Sequence, residues 1–102
     1  MPEPVVVATT DELATGEAMA VSIDGEGVAI FNVDGEYHAI ANRCTHVGGS
    51  LGKGRLDDGV VSCPLHGAKF DVRTGAVCSP PADEPVRTYD VEVLDGELLL
   101  QW

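Results

Sequence analysis

The chain has few aromatic residues, few cations and no long apolar run, and each scarcity removes a class of protein. Only 5% of its 102 residues are aromatic. Its longest aliphatic stretches, Val5-Val6-Val7-Ala8 and Leu98-Leu99-Leu100, fall far short of the roughly 20 residues that a spanning helix requires, so no transmembrane helix is expected. The opening Met1-Pro2-Glu3-Pro4 has neither a basic nor an apolar signal region, which points to a cytoplasmic location where thiols stay reduced. Cations are scarce: 6 Lys and Arg stand against 17 Asp and Glu, a formal net charge of −11. Nucleic acid and anionic membrane surfaces both demand positive charge, so neither is an expected partner, whereas a protein with a basic face is.

What remains is 44% apolar residues with 12 glycines and 6 prolines, the composition of a globular protein rich in turns. At this length residues 1–102 form a single domain, too short to carry a catalytic domain beside a cofactor domain. Charge is unevenly placed. Arg43, Lys53, Arg55, Lys69 and Arg73 lie within residues 43–73, opposed by Asp57, Asp58 and Asp71. That segment is net positive, and the remainder holds Arg87 as its one Lys or Arg.

Short apolar or alternating runs punctuated by acidic-glycine pairs are the pattern of antiparallel strands joined by tight turns. Strands are predicted over Val5–Ala8, Glu17–Ile23, Val28–Val33, Glu36–Ala41, Val86–Leu94 and Glu97–Trp102. Asp24-Gly25-Glu26-Gly27, Asp34-Gly35 and Asp95-Gly96 are the turns between them, and Thr10-Asp11-Glu12-Leu13 is a capped helical turn. Six strands outside the middle of the chain close most easily as a small antiparallel sandwich or barrel. The middle differs, since Arg43–Pro81 carries all three cysteines and two of the three histidines. Within it Asp57-Asp58-Gly59 and Thr74-Gly75 mark hairpin turns, with short strands at Val60–Ser62, Lys69–Asp71 and Ala76–Cys78. Ser79-Pro80-Pro81-Ala82 and Glu84-Pro85 form a proline-stiffened return to the scaffold.

Cys44-Thr45-His46 and Cys63-Pro64-Leu65-His66 are two Cys/His pairs, each at the tip of a turn. Two thiolates and two imidazoles can hold one zinc tetrahedrally, or a two-iron, two-sulfide cluster with the cysteines on one iron and the histidines on the other. The residues around them favour the cluster. Val47-Gly48-Gly49-Ser50-Leu51-Gly52 and Gly67-Ala68 bring bare backbone close, and backbone N–H groups are the donors that sulfurs accept from. A structural zinc module stays as the second reading, which metal analysis separates from the first.

The string Cys44-Thr45-His46-Val47-Gly48, with Cys63-Pro64-Leu65-His66-Gly67, Phe70-Asp71 and Thr74-Gly75, resembles the Rieske iron–sulfur proteins, and the resemblance spans the chain. In size it is similar to the small Rieske-type ferredoxins of bacterial aromatic-ring dioxygenases. That resemblance implies an all-β fold, a small antiparallel sandwich or barrel with a cluster-binding subdomain, residues 43–78, inserted in it. Residues 79–85 would be the proline loop covering the cluster. It implies one [2Fe-2S] cluster, with Cys44 and Cys63 on the inner iron and His46 and His66 on the solvent-facing iron. The implied function is one-electron transfer from a flavin-containing NAD(P)H-dependent ferredoxin reductase to a terminal oxygenase by a monomer that is not itself an enzyme. A Rieske-like small subunit of another oxidoreductase, such as a nitrite reductase, is the alternative. Respiratory members carry two further cysteines joined by a disulfide, where this chain has Gly49 and Leu65, and serine and tyrosine hydroxyls against the sulfurs, where it has Ala68 and Phe70. Fewer hydrogen bonds to sulfur disfavour the reduced cluster, so a low-potential carrier is expected.

The remaining candidates have plainer readings. Cys78, a lone cysteine on a predicted strand, is expected to be a small core residue. His38 lacks a cysteine neighbour and is not expected to be a ligand, while Phe31 and Trp102 are expected to pack in the core or at the terminus. Asp57-Asp58 and Asp83-Glu84 have no accompanying nucleophile and are read as solvated turns.

Overall fold

The computed structural model describes residues 4–23, 25–42, 50–63, 67–79 and 84–101. All ten of its strands pair antiparallel and form two sheets. In chain order they are β1 (Val5–Thr9), β2 (Ala18–Ile23), β3 (Glu26–Val33), β4 (Glu36–Ala41), β5 (Arg55–Asp57), β6 (Val60–Ser62), β7 (Lys69–Asp71), β8 (Val77–Ser79), β9 (Thr88–Leu94) and β10 (Glu97–Gln101). The six strands expected outside the middle segment make one sheet, ordered β1-β10-β9-β4-β3-β2. The four strands from β5 to β8 make the other, in sequence order.

Local chemistry explains the hairpins. Asp34 and Gly35 both have positive φ, 52° and 90°, as do Asp58 and Gly59 (50° and 80°) and Asp95 and Gly96 (51° and 77°). Two successive left-handed residues make the primed turn whose twist matches that of antiparallel strands, and aspartate followed by glycine is the pair that tolerates it best. The β2–β3 connection is tighter than the four-residue turn expected, because Ile23 pairs with Glu26 and the strand already includes Glu26 and Gly27. The short helical turn exists as a 3-10 turn over Thr10–Glu12, but Thr9 is its cap. The Thr9 N–H and hydroxyl both donate to Glu12 Oε1, at 3.0 and 3.1 Å.

Two cores divide the molecule, and β3 separates them. Val28 and Ile30 face inward with Ala8, Leu13, Ile23, Ala39, Tyr89, Leu98 and Leu100. Because that cluster draws on both edge strands, β1 and β2, the six-stranded sheet curls around it into a nearly closed barrel. Ala29, Phe31 and Val33 point the other way and pack with Ile40, Leu51, Val61, Cys63, Ala68, Phe70, Val72 and Val86. Burial on both faces is why β3 reads as a continuous apolar run rather than an alternating one. The second sheet thus leans on one wall of the barrel, and β9 begins at Thr88 rather than Val86 because Val86 serves this junction.

Candidate metal centre

Of the four expected ligands, Cys63 is described, and Cys44, His46 and His66 lie outside the described residues, as do Gly49, Leu65, Pro80, Pro81, Asp83 and Trp102. The described flanks show how the two Cys/His segments are closed at their bases. At the end of β4, the Asn42 N–H donates to the Gly27 carbonyl (3.0 Å), and the Asn42 carbonyl accepts from the Leu51 N–H (2.7 Å). The chain that leaves at Asn42 therefore returns directly beside it. Cys63, just after β6, makes a second closed base: its N–H donates to the Ala68 carbonyl (2.7 Å) and its carbonyl accepts from the Gly67 N–H (3.0 Å). Gly67 has φ of 75°, so the residue that completes this narrow turn is one without a Cβ to resist it.

These bases meet. Leu51, Cys63 and Ala68 belong to one apolar cluster with Phe70 and with Val86, which follows the proline-rich return. The return is tied down as well, since the Ala41 N–H donates to the Arg87 carbonyl (2.8 Å) and the Val86 N–H to the Gly75 carbonyl (2.9 Å). Cys63 is 2% exposed, with no disulfide. A thiol held there, among apolar side chains and beside backbone amides, has the donor chemistry of a soft-metal ligand, so the residue fits an iron–sulfur group. Among the described residues no three His, Cys, Asp or Glu side chains gather into a further metal site.

Cys78 is not in the core. Lys69 pairs with Ser79 and Phe70 with Val77, and the irregularity between those pairs leaves Cys78 unpaired and exposed on the outer face of the second sheet. Val77 takes the inward position against the core instead. Cys78 lines a shallow depression with Arg55, Asp57, Asp58, Val60, Ser62 and Lys69. Strand β5 has no counterpart among the expected strands, because Arg55-Leu56-Asp57 offers one apolar residue and no alternation. His38 is half-buried on β4, and its Nε2 is buried with no partner among the described residues. Tyr89 holds its phenolic proton above the ordinary range: burial is the main cause, Glu26 adds to it, and the Arg87 guanidinium opposes it. That guanidinium lies 4.8 Å from the centre of the Tyr89 ring.

Residues 3–90 match the family described as the Rieske [2Fe-2S] domain. The chain is 47% identical over 95 residues to a biphenyl dioxygenase ferredoxin subunit of Pseudomonas sp. (strain KKS102), covering 92% of this chain and 87% of that one. Among solved structures, the ferredoxin of carbazole 1,9a-dioxygenase from Nocardioides aromaticivorans IC177 superposes with a TM-score of 0.93 at 40% identity, over 97% of each chain. A structure described as a complex of reduced oxygenase and oxidized ferredoxin in carbazole 1,9a-dioxygenase contains a chain that superposes at 0.91 with 33% identity, covering 95% of this chain and 91% of that one.

Proposed function

Because the chain belongs to the Rieske [2Fe-2S] domain family, we propose that it is the ferredoxin component of an aromatic-ring-hydroxylating dioxygenase system, carrying one electron at a time to a terminal oxygenase. The observation that carries this reading is the buried Cys63 at the junction of two closed loop bases. When bound, a two-iron cluster held by two thiolates and two imidazoles supplies a one-electron couple and offers no open site to substrate. Cys44 and Cys63 hold the inner iron in this reading, and His46 and His66 the outer one. Residues 43–78 act as the cluster-binding subdomain and 79–85 as the proline loop. The electron donor is a flavin-containing, NAD(P)H-dependent reductase, and the carrier works as a cytoplasmic monomer. Among the described residues no helix is long and apolar enough to cross a membrane.

The residues around the site set its surroundings. Leu51, Ala68 and Phe70 are fully buried and keep water from the Cys63 side chain. The test of the carrier role is reconstitution with reductase and oxygenase, following product formed per NADH consumed. Product should appear only when this chain is present, and the chain alone should transform no substrate. Equal product in its absence, with every candidate oxygenase, overturns the assignment.

A tuning prediction arises from Ala68 and Phe70, which are both fully buried. A hydroxyl placed at either position either finds an acceptor or costs about 1–3 kcal/mol of stability. Ala68→Ser and Phe70→Tyr are expected to donate to cluster sulfur. Each should then raise the midpoint potential by roughly 40 mV, the equivalent of a hydrogen bond worth about 1 kcal/mol in a one-electron couple. Voltammetry paired with thermal unfolding decides: an unchanged potential with lowered stability shows that the hydroxyl found no sulfur.

A further inference from the structure

We propose that Asn42 is a positioning residue for the cluster, an amide clamp that locks the two ends of the 43–49 segment together and thereby fixes the first ligand pair. The inference rests on the reading of Cys44 and His46 as ligands. Asn42 is the last residue before that segment and lies two positions ahead of Cys44. Its side chain reaches across to the returning strand. Asn42 Nδ2 donates to Ser50 Oγ at 3.0 Å, Ser50 Oγ donates to Asn42 Oδ1 at 3.2 Å, and the Gly52 N–H donates to the same Oδ1 at 2.7 Å. The backbone of Asn42 is held as well, by Gly27 on one side and Leu51 on the other. One residue thus ties β3, the end of β4 and the 3-10 turn over Leu51–Lys53 at a single point.

The surroundings are shaped to that amide. A Cβ on Gly52 would sit 3.0 Å from Asn42 Oδ1 and 3.0 Å from Ala20 Cβ, so position 52 has room for its backbone amide but not comfortably for a side chain. A Cβ on Gly27 would stand 3.3 Å from Asn42 Cβ. Glycines on both flanks let backbone approach the amide closely, and its three hydrogen bonds favour the orientation it has. Closing a loop at its base lowers the entropy that its ligands must lose on binding a cluster, which is the route by which such a clamp acts.

Asn32 supplies the control. It is a buried polar residue of the barrel, 5% exposed, with Nδ2 donating to the Leu13 carbonyl (2.9 Å) and Oδ1 accepting from the Gly35 N–H (2.8 Å). It is as structural as Asn42 but flanks no ligand segment. The cluster-loaded wild type, Asn42→Ala, Ser50→Ala and Asn32→Ala are to be compared for iron and labile sulfide, electron paramagnetic resonance g-values, cluster release to a chelator, and hydrogen exchange at the Gly52 amide. Asn42→Ala should release its cluster about ten-fold faster, shift the g-values and expose Gly52 to faster exchange, the scale expected when a hydrogen bond at a closed base is lost. Ser50→Ala, which keeps the Gly52 bond, should fall between it and wild type. Asn42→Asp, whose carboxylate oxygens still accept from Gly52 and Ser50, should restore slow exchange at Gly52. Asn32→Ala should lower thermal stability while leaving the g-values unchanged. Cluster release and g-values that match wild type in both Asn42→Ala and Ser50→Ala overturn the positioning role, and so does an equal spectral change in Asn32→Ala. A wild type without two irons and two labile sulfides overturns the ligand reading itself, so the two failures are distinct. Should Asn42→Ala not fold, Ser50→Ala carries the comparison alone.

Discussion

Replacing Cys63 with serine is expected to remove the two-iron absorption and paramagnetic spectrum while leaving the fold in place. Cys63 is 2% exposed and packs in the apolar core that includes Leu51, Val61, Ala68 and Phe70, so solvent does not reach its thiol. Serine has nearly the same size, and the buried hydroxyl costs about 1–3 kcal/mol if it stays unpartnered, which a domain of this kind survives. What it loses is the soft thiolate on which iron–sulfur ligation depends. The same outcome is expected for Cys44→Ser, His46→Ala and His66→Ala. Cys78→Ser should keep the full spectrum, because Cys78 is exposed on the far face of the second sheet and its Sγ reaches the Ala76 carbonyl at a long 3.8 Å. Alkylation should divide the two thiols in the same way, modifying Cys78 readily and Cys63 only after unfolding. Retention of the cluster in Cys63→Ser, or its loss in Cys78→Ser, would reverse the ligand assignment.

Gly75→Ala should destabilise the protein by about 3 kcal/mol or more, lowering its unfolding temperature by roughly 12–24 °C. Two effects add. Gly75 has φ of 77°, where an L-residue costs about 1–2 kcal/mol. Its new Cβ would also collide with the Val86 carbonyl oxygen and approach Thr88 Cγ2 at 3.1 Å. The collision cannot be relieved by rotating a side chain, since the obstacle is backbone. The Gly75 N–H donates to the Asp71 carbonyl at 2.7 Å, and its own carbonyl accepts from the Val86 N–H at 2.9 Å, so displacement at this point breaks the seam between the second sheet and the strand returning to the barrel. Gly35→Ala is the matched comparison: φ there is 90°, but nothing lies within 4 Å of the added carbon. It should show the conformational cost alone. Equal losses at both positions, measured by circular dichroism during thermal unfolding, would mean that the Val86 contact contributes nothing.

Much of the barrel was legible in the chain because its determinants are local. A hairpin turn needs two adjacent residues that accept positive φ, so Asp34-Gly35 and Asp95-Gly96 announce themselves without reference to anything distant. The apolar run Val28–Val33 likewise identifies a strand, although its burial on both faces is decided by the two cores that cover it. The Cys/His spacing that marks the metal centre is local in the same sense, since each pair sits within a few residues of chain. Pairing across the second sheet is not local. Arg55-Leu56-Asp57 becomes a strand by bonding to Val60–Ser62, although its own pattern hardly distinguishes it from loop.

The face that Cys78 presents is set by the tertiary structure alone. A strand residue faces core or solvent according to register, and one irregular step in pairing reverses its face. The displacement between Lys69 and Phe70 against β8 leaves Cys78 outward, and no property of Ala76-Val77-Cys78-Ser79 reveals it. Asn42 shows the same division at the site. By itself the chain determined its strand-and-turn grammar, its acidity and the two Cys/His pairs, all set by residues near one another. The tertiary structure decided which thiol is buried, which faces water, and that Asn42 meets Ser50 and Gly52 eight and ten residues away. Contacts of that kind depend on how distant segments pack together, and the free energy that aligns them is summed over a whole core rather than written at any one position.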